Sequence, residues 1–156
     1  MTTILPCHKS AEATPDKLLL AATSAALLTL IPVAAHQLGY LSHLPDPPAA
    51  IFDSDRITES TTAHPLGIPD SLLGLGSYGL TLTLILLARS KPKARRLLAL
   101  KLIGDGSIAG FNMVRQITKF GKLCSWCTVT ALCTAAMVAG GRKLIAKRSG
   151  NTADAF

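Results

Sequence analysis

Charged side chains are scarce in this chain: Asp, Glu, Lys and Arg make up 16% of its 156 residues, against about 25% in an ordinary soluble domain. From Leu18 to Leu41, "LLLAATSAALLTLIPVAAHQLGYL", there is none. Acids are the rarer sign, nine against 16 bases for a net charge of +7. No nucleic-acid-binding motif accompanies that excess, so it does not argue for a nucleic-acid partner. The first apolar run is too long for a signal peptide, contains Pro32 and lacks a convincing small-residue cleavage site. The stretch from Ser42 to Pro65 holds no cysteine.

What is present is apolar, and it comes in blocks. Hydrophobic residues are 49% of the chain and mean hydropathy is +0.39. Long runs, unlike the short periodic stripes of a soluble core, point to a bilayer, and the length leaves room for one domain. Four segments are predicted to be helices. Leu18–Leu41 is long enough to cross about 30 Å of hydrocarbon. It is preceded by Thr14 as cap, Pro15 at the first position and Asp16 at the positive dipole end, and Pro32 predicts a kink. Gly67–Ala88 follows, with Pro69 and Asp70 in its opening turn. Leu97–Gln116 is interrupted by Lys101, Asp105, Asn112 and Arg115, polar groups that must face protein or a water-filled cavity. Cys124–Gly141 closes an all-α, integral membrane four-helix bundle over residues 14–141, flanked by tails at 1–13 and 142–156.

Charge orients the bundle. Arg89, Lys91, Lys93, Arg95, Arg96 and Lys101 surround the second link, and Arg142, Lys143, Lys147 and Arg148 follow the last helix. By the positive-inside rule these flanks and both termini are cytoplasmic, with anionic membrane lipid as their partner. The first link carries Asp46, Asp53, Asp55 and Glu59 against Arg56 alone and faces outward; Lys119 and Lys122 run against this orientation but are outnumbered.

The residues with most chemical promise are in "KLCSWCTVTALC", 122–133, which holds three of the four cysteines. The orientation puts Cys124 and Cys127 outside, where disulfides persist, and Cys7 in the reducing cytoplasm. A helix starting near Leu123 places Cys124 in its first turn, where free backbone N–H groups, the dipole and Lys122 favour a reactive thiolate. Other readings of the pair are a structural disulfide and half of a zinc site. Zinc needs three or four ligands. Cys133 lies about 9 Å deeper along the helix, on another face, and reads as a small apolar residue. His43 and His64 fit no metal spacing, so no metal ligand is assigned.

Four short helices, "AHPLGIPDSLLGLGSYG" opening the second and "LCSWC" opening the fourth together resemble the vitamin K epoxide reductase family over residues 14–141. That resemblance implies a membrane bundle that reduces a quinone with electrons from a thiol pair and passes the disulfide onward to secreted proteins. It implies that Cys127 faces the quinone while Cys124 exchanges with an incoming thiol. It also implies a menaquinone, ubiquinone or phylloquinone type of acceptor, and an extracytoplasmic thioredoxin-like protein as thiol donor. The setting is an integral membrane protein, of the bacterial inner membrane, with the pair on the extracytoplasmic side.

The chain departs from the family in its first link, where members carry a second, shuttling cysteine pair. Aligning Gly67–Pro69 and Ser60 puts Ser54 and Asp46 at those positions. With no internal relay, and no fused thioredoxin-like domain before Phe156, the partner is expected to reach Cys124 directly at the water interface. The link then need not dock over it, and Ser54 and Asp46 are expected to be irrelevant to the yield of a crosslink between that partner and Cys124. Asp70 falls near the family position where an amide hydrogen-bonds the quinone carbonyl. A carboxylic acid donates that bond only while protonated, a state an apolar site favours; the alternative is an acid placed to suit the helix dipole. Ala131 stands where the family has a tyrosine. Trp126 and Asn112 complete the candidate quinone-binding set, with an interfacial anchor and a structural amide as their alternatives, and Asp105 and Arg115 read as structural. Two other functions remain at this point: a non-catalytic subunit or maturation factor that keeps the bundle, and a metal-binding membrane protein.

Overall fold

The computed structural model describes residues 15–142. Cys7, Thr14, Lys143, Lys147 and Arg148, the side chain of Asp16, and the tails expected at 1–13 and 142–156 apart from Arg142, lie outside the described residues. Within them the chain is helical, with one isolated bridge: α1 Pro15–Gln37, α2 Ser54–Thr58, α3 Asp70–Ala88, α4 Pro92–Phe120 and α5 Ser125–Gly140. Two 3-10 turns, Thr61–Ala63 and Pro65–Gly67, lead into α3. Three helices (α1, α3 and α4) are long and apolar enough to cross a membrane, while α5, at 16 residues, is shorter.

The boundaries differ from the sequence-based ones for local reasons. Leu66 and Gly67 take left-handed backbone angles (φ 59° and 78°) and Pro69 is extended, so α3 starts at Asp70 and not at Gly67. Lys101 and Asp105, expected to interrupt the third helix, pair one turn apart at 2.5 Å, and α4 runs on without a break. It starts with Pro92 at the first position and stops where Gly121 adopts φ 62°. At 29 residues it is about 43 Å long, more than the hydrocarbon needs.

The four long helices close a ring in which α1 packs on α3 and α5, and α4 packs on the same two. Leu19, Ala22, Ala26, Leu30, Tyr78, Ile85, Leu98, Leu102 and Met137 fill its centre. Large apolar residues also point outward: Leu28, Ile31, Leu80, Leu86, Phe111 and Leu132 are all more than half exposed. A helix apolar on every side suits lipid outside and protein inside. Lipid tails are as apolar as the core, so close fit and polar contacts must hold the helices together. Small residues supply the fit: a Cβ at Gly140 would lie 3.1 Å from Leu18, and one at Gly106 3.0 Å from Val138. Hydroxyls supply the contacts, with Thr29 to Thr130 at 2.8 Å joining α1 to α5 and Tyr78 to Thr134 at 2.6 Å joining α3 to α5.

The Tyr78 contact is open to direct measurement. Tyr78→Phe keeps the ring in the core and removes one interhelical hydrogen bond, while Thr134 retains its bond to the Thr130 carbonyl. The expected loss is about 0.6 to 1.5 kcal/mol in a reversible unfolding assay in bicelles; no change would show that the hydroxyl pair does not contribute to holding α3 against α5.

Candidate redox site and its cap

The link between α1 and α3 folds back over the start of α5. Ile51, Phe52 and Asp53 run beside Leu123: the Leu123 N–H donates to the Ile51 carbonyl at 2.8 Å, and the Asp53 N–H to the Leu123 carbonyl at 3.0 Å. The Lys122 ammonium donates to the Ala50 carbonyl. Immediately after this bridge, α2 begins with Asp53 as its cap and buries Ser54, Ile57 and Thr58. The other end of the link is tied to α1, where the Gln37 amide donates to the carbonyls of Thr58 (3.0 Å) and Ala63 (3.4 Å). His36, also buried, lies 3.5 Å from both Asp55 and Glu59.

Three expectations are corrected by this arrangement. Cys124 is not in the first turn of the last helix but is its N-cap, with extended backbone, and its Sγ accepts from the Cys127 N–H at 3.1 Å. The sulfur thus satisfies one of the free amides of the helix start, as a hydroxyl does at an ordinary cap. Nor does Cys124 sit at the water interface: it is 0% exposed. Finally, the link does dock over it, and Asp46 and Ser54 are the residues that hold it there. The Ser54 hydroxyl and N–H donate to the two Asp46 carboxylate oxygens at 2.6 and 2.7 Å. The Ser125 hydroxyl donates to Asp46 at 2.5 Å, and the Ser125 N–H donates to the Ser54 hydroxyl at 3.0 Å. Asp46 and Ser54 therefore form a non-covalent clasp on the residue next to Cys124.

Between the helices lies a pocket of about 480 Å³ lined by α1, α3, α4, α5 and the link. Cys127, half-buried, lines it, and so do Asp70 and Asn112. Ala131 is also on the wall. Trp126 is not part of this lining; its indole N–H donates to the Pro45 carbonyl at 3.1 Å, which adds a further tie to the cap. Asp70, Asn112 and Cys127 are thus brought together, and Trp126 is not. Cys133 packs against the core and stays off the cavity wall. Cys124, Cys127 and Cys133 are free thiols.

Two glutamines were not singled out in the sequence. Gln116, buried near the end of α4, accepts from the Cys124 N–H at 3.0 Å and lines the cavity beside Cys127. Gln37, in the charge-free first block, donates to Asp70 at 2.9 Å and accepts from the Ser71 hydroxyl. The only signal for either was an amide at the edge of an apolar run, where it costs little if it faces water. Arg115, read as structural, reaches the Thr62 carbonyl at 3.3 Å, lies over Phe111 and shares the cavity.

The Asp46 clasp is pH-sensitive in a definite direction. Burial raises its pKa, but hydrogen bonds from the Ser125 hydroxyl and from the Ser54 hydroxyl and N–H outweigh burial and hold it below the ordinary value of 3.8. A depressed carboxylate contributes stability above its unfolded pKa, and that contribution is lost as pH falls through the folded value. The cap should therefore stay closed at neutral pH and loosen only below about pH 4. Asp46→Ala and Ser54→Ala should open it at neutral pH, raising the rate at which Cys124 reacts with a water-soluble thiol reagent about tenfold. Unchanged labelling in both variants would mean that the clasp does not protect the thiol.

A model of the vitamin K epoxide reductase family matches residues 17–140, from the first helix to the end of the last. The chain matches no curated protein and no solved structure.

Proposed function

Because the chain belongs to the vitamin K epoxide reductase family, whose members are membrane thiol-dependent quinone oxidoreductases, we propose that it reduces a quinone with Cys124 and Cys127 as its redox pair. The observation that carries this reading is the division of labour between the two thiols: Cys127 lines the cavity, and Cys124 lies beneath the cap, outside the cavity lining. Three apolar helices of spanning length make the protein integral to the membrane, and α5 completes a four-helix bundle that runs from Pro15 to Gly140. The pair faces the extracytoplasmic side of a bacterial inner membrane, because the basic flanks belong in the cytoplasm. The acceptor is a membrane quinone of the menaquinone, ubiquinone or phylloquinone type.

The cycle has two halves. An extracytoplasmic thioredoxin-like dithiol attacks the Cys124–Cys127 disulfide at Cys124, giving a mixed disulfide and releasing Cys127. The donor's second thiol resolves that bond, leaving the donor oxidised and both cysteines reduced. The pair then delivers two electrons to the quinone and closes its disulfide again. Since Cys124 is covered, the donor gains access only as the cap moves, so the first half is gated by the Asp46–Ser54–Ser125 contacts. In the second half Asp70 serves the nearer quinone oxygen. Gln37 occupies one of its carboxyl oxygens as a donor, which leaves the other, protonated, to donate.

The test is dithiol-driven quinone reduction by the purified protein. Cys124→Ser and Cys127→Ser should abolish turnover. Asp70→Asn, which keeps a donor, should stay within about threefold of the parent, and Asp70→Leu should lose at least about tenfold because it leaves a carbonyl unpaired in an apolar site. Turnover that survives Cys127→Ser would overturn the assignment of the pair, and equal activity of the two Asp70 variants would remove the carboxyl from the quinone site.

A further inference from the structure

The cavity has a second polar end that the redox pair does not use. Ser77 and Asp105 line it, two turns along α3 from Asp70 and on the facing wall of α4. Behind them the Lys101 ammonium donates to Ser77 Oγ at 2.6 Å and to the two Asp105 oxygens at 2.5 and 2.8 Å. Thr81 adds a bond to Asp105 at 3.1 Å. Asp105 is 7% exposed and the Lys101 side chain 19%. A buried ion pair is a poor way to stabilise a helix bundle, since desolvation offsets much of the attraction. Ionisable groups at this depth ordinarily serve a ligand or a proton path.

Geometry identifies which part of a ligand this end would meet. The oxygens of a 1,4-quinone lie on opposite sides of one ring, about 5 Å apart, and a hydrogen bond of about 2.8 Å at each end separates the two donors by about 11 Å. Asp70 and Ser77 are seven residues apart on one helix, about 10.5 Å along its axis, and both face the cavity. The Ser77 hydrogen is free to turn, because in the free protein it makes only a 3.2 Å contact with Asp105, whose oxygens keep Lys101 and Thr81. Ala131 offers no hydroxyl, and those of Tyr78 and Thr130 on the same wall are paired with Thr134 and Thr29.

We infer that Ser77, held by Lys101 and Asp105, binds the second carbonyl of the quinone, and that Lys101 supplies the proton that this oxygen takes up on reduction. This deepens the quinone-reductase reading and rests on it. The proton balance is closed. The two electrons leave the Cys124 and Cys127 thiols as their disulfide forms, one thiol proton passing to the nearer oxygen and the other to solvent at the cysteine end. The far oxygen receives its proton from Lys101 through the Ser77 hydroxyl, and Lys101 regains one from solvent. Ser77 would touch the quinone, whereas Lys101 and Asp105 act through it, so Asp105 is a positioning residue.

A pair of ring isomers tests this without depending on fold integrity. In 1,2-naphthoquinone the carbonyls are adjacent and both fall at the Asp70 end, while in 1,4-naphthoquinone one of them must meet Ser77. With a small dithiol as donor, Ser77→Ala and Lys101→Met should lower kcat/KM for the 1,4 isomer at least about tenfold and that for the 1,2 isomer less than about threefold. Lys101→Arg should restore part of the loss as a retained cation and donor. Equal losses for both isomers would make the cluster purely structural, and no loss for either would remove it from the site; each result overturns the inference. A parent protein that reduces neither isomer, yet folds and closes its disulfide, would overturn the quinone reading itself.

Discussion

In a bilayer no water is at hand to satisfy a buried polar group, and the organisation of this molecule follows from that constraint. Lipid gives the helices no hydrophobic reason to associate, so the places where polar atoms must find one another decide how the ring closes. Thr29 meets Thr130, Tyr78 meets Thr134, and Lys101 and Asp105 of α4 meet Ser77 and Thr81 of α3. The same constraint acts at the rim. The amides of Gln37 and Gln116 serve the backbone of the link and of Cys124, in places where irregular chain enters the protein. Non-helical backbone survives at that depth only when it is covered in this way.

The cap is held over the last helix without a covalent bond. A loop with a cysteine pair can swing in and trade disulfides with the pair beneath it. A loop with Asp46 and Ser54 cannot, yet the same positions still approach the start of α5 and bind it through hydrogen bonds. The hydrogen-bonded clasp lies against the residue next to Cys124, which is fully buried. Cys124 as a sulfur N-cap adds to this hold, since its Sγ accepts from the Cys127 N–H at the start of α5.

The positions and order of the apolar helices were legible from the sequence because the signal is local: runs of the right length with few charges. The Cys-x-x-Cys at the head of the last run was equally plain, as was its likeness to one family. Helix ends were less so, because they depend on backbone angles at Leu66, Gly67 and Gly121 and on a Lys101–Asp105 pair that makes charges tolerable inside a helix. The burial of Cys124, the role of Asp46 and Ser54, and the placing of Trp126 on the cap were not legible at all. Each rests on contacts between residues far apart in sequence, such as Ser125 with Asp46 and Ser54, 79 and 71 positions away. Hydropathy and charge report how a segment meets lipid or water; they carry no information about which segment folds over which, and at this site that choice separates an exposed thiol from a covered one.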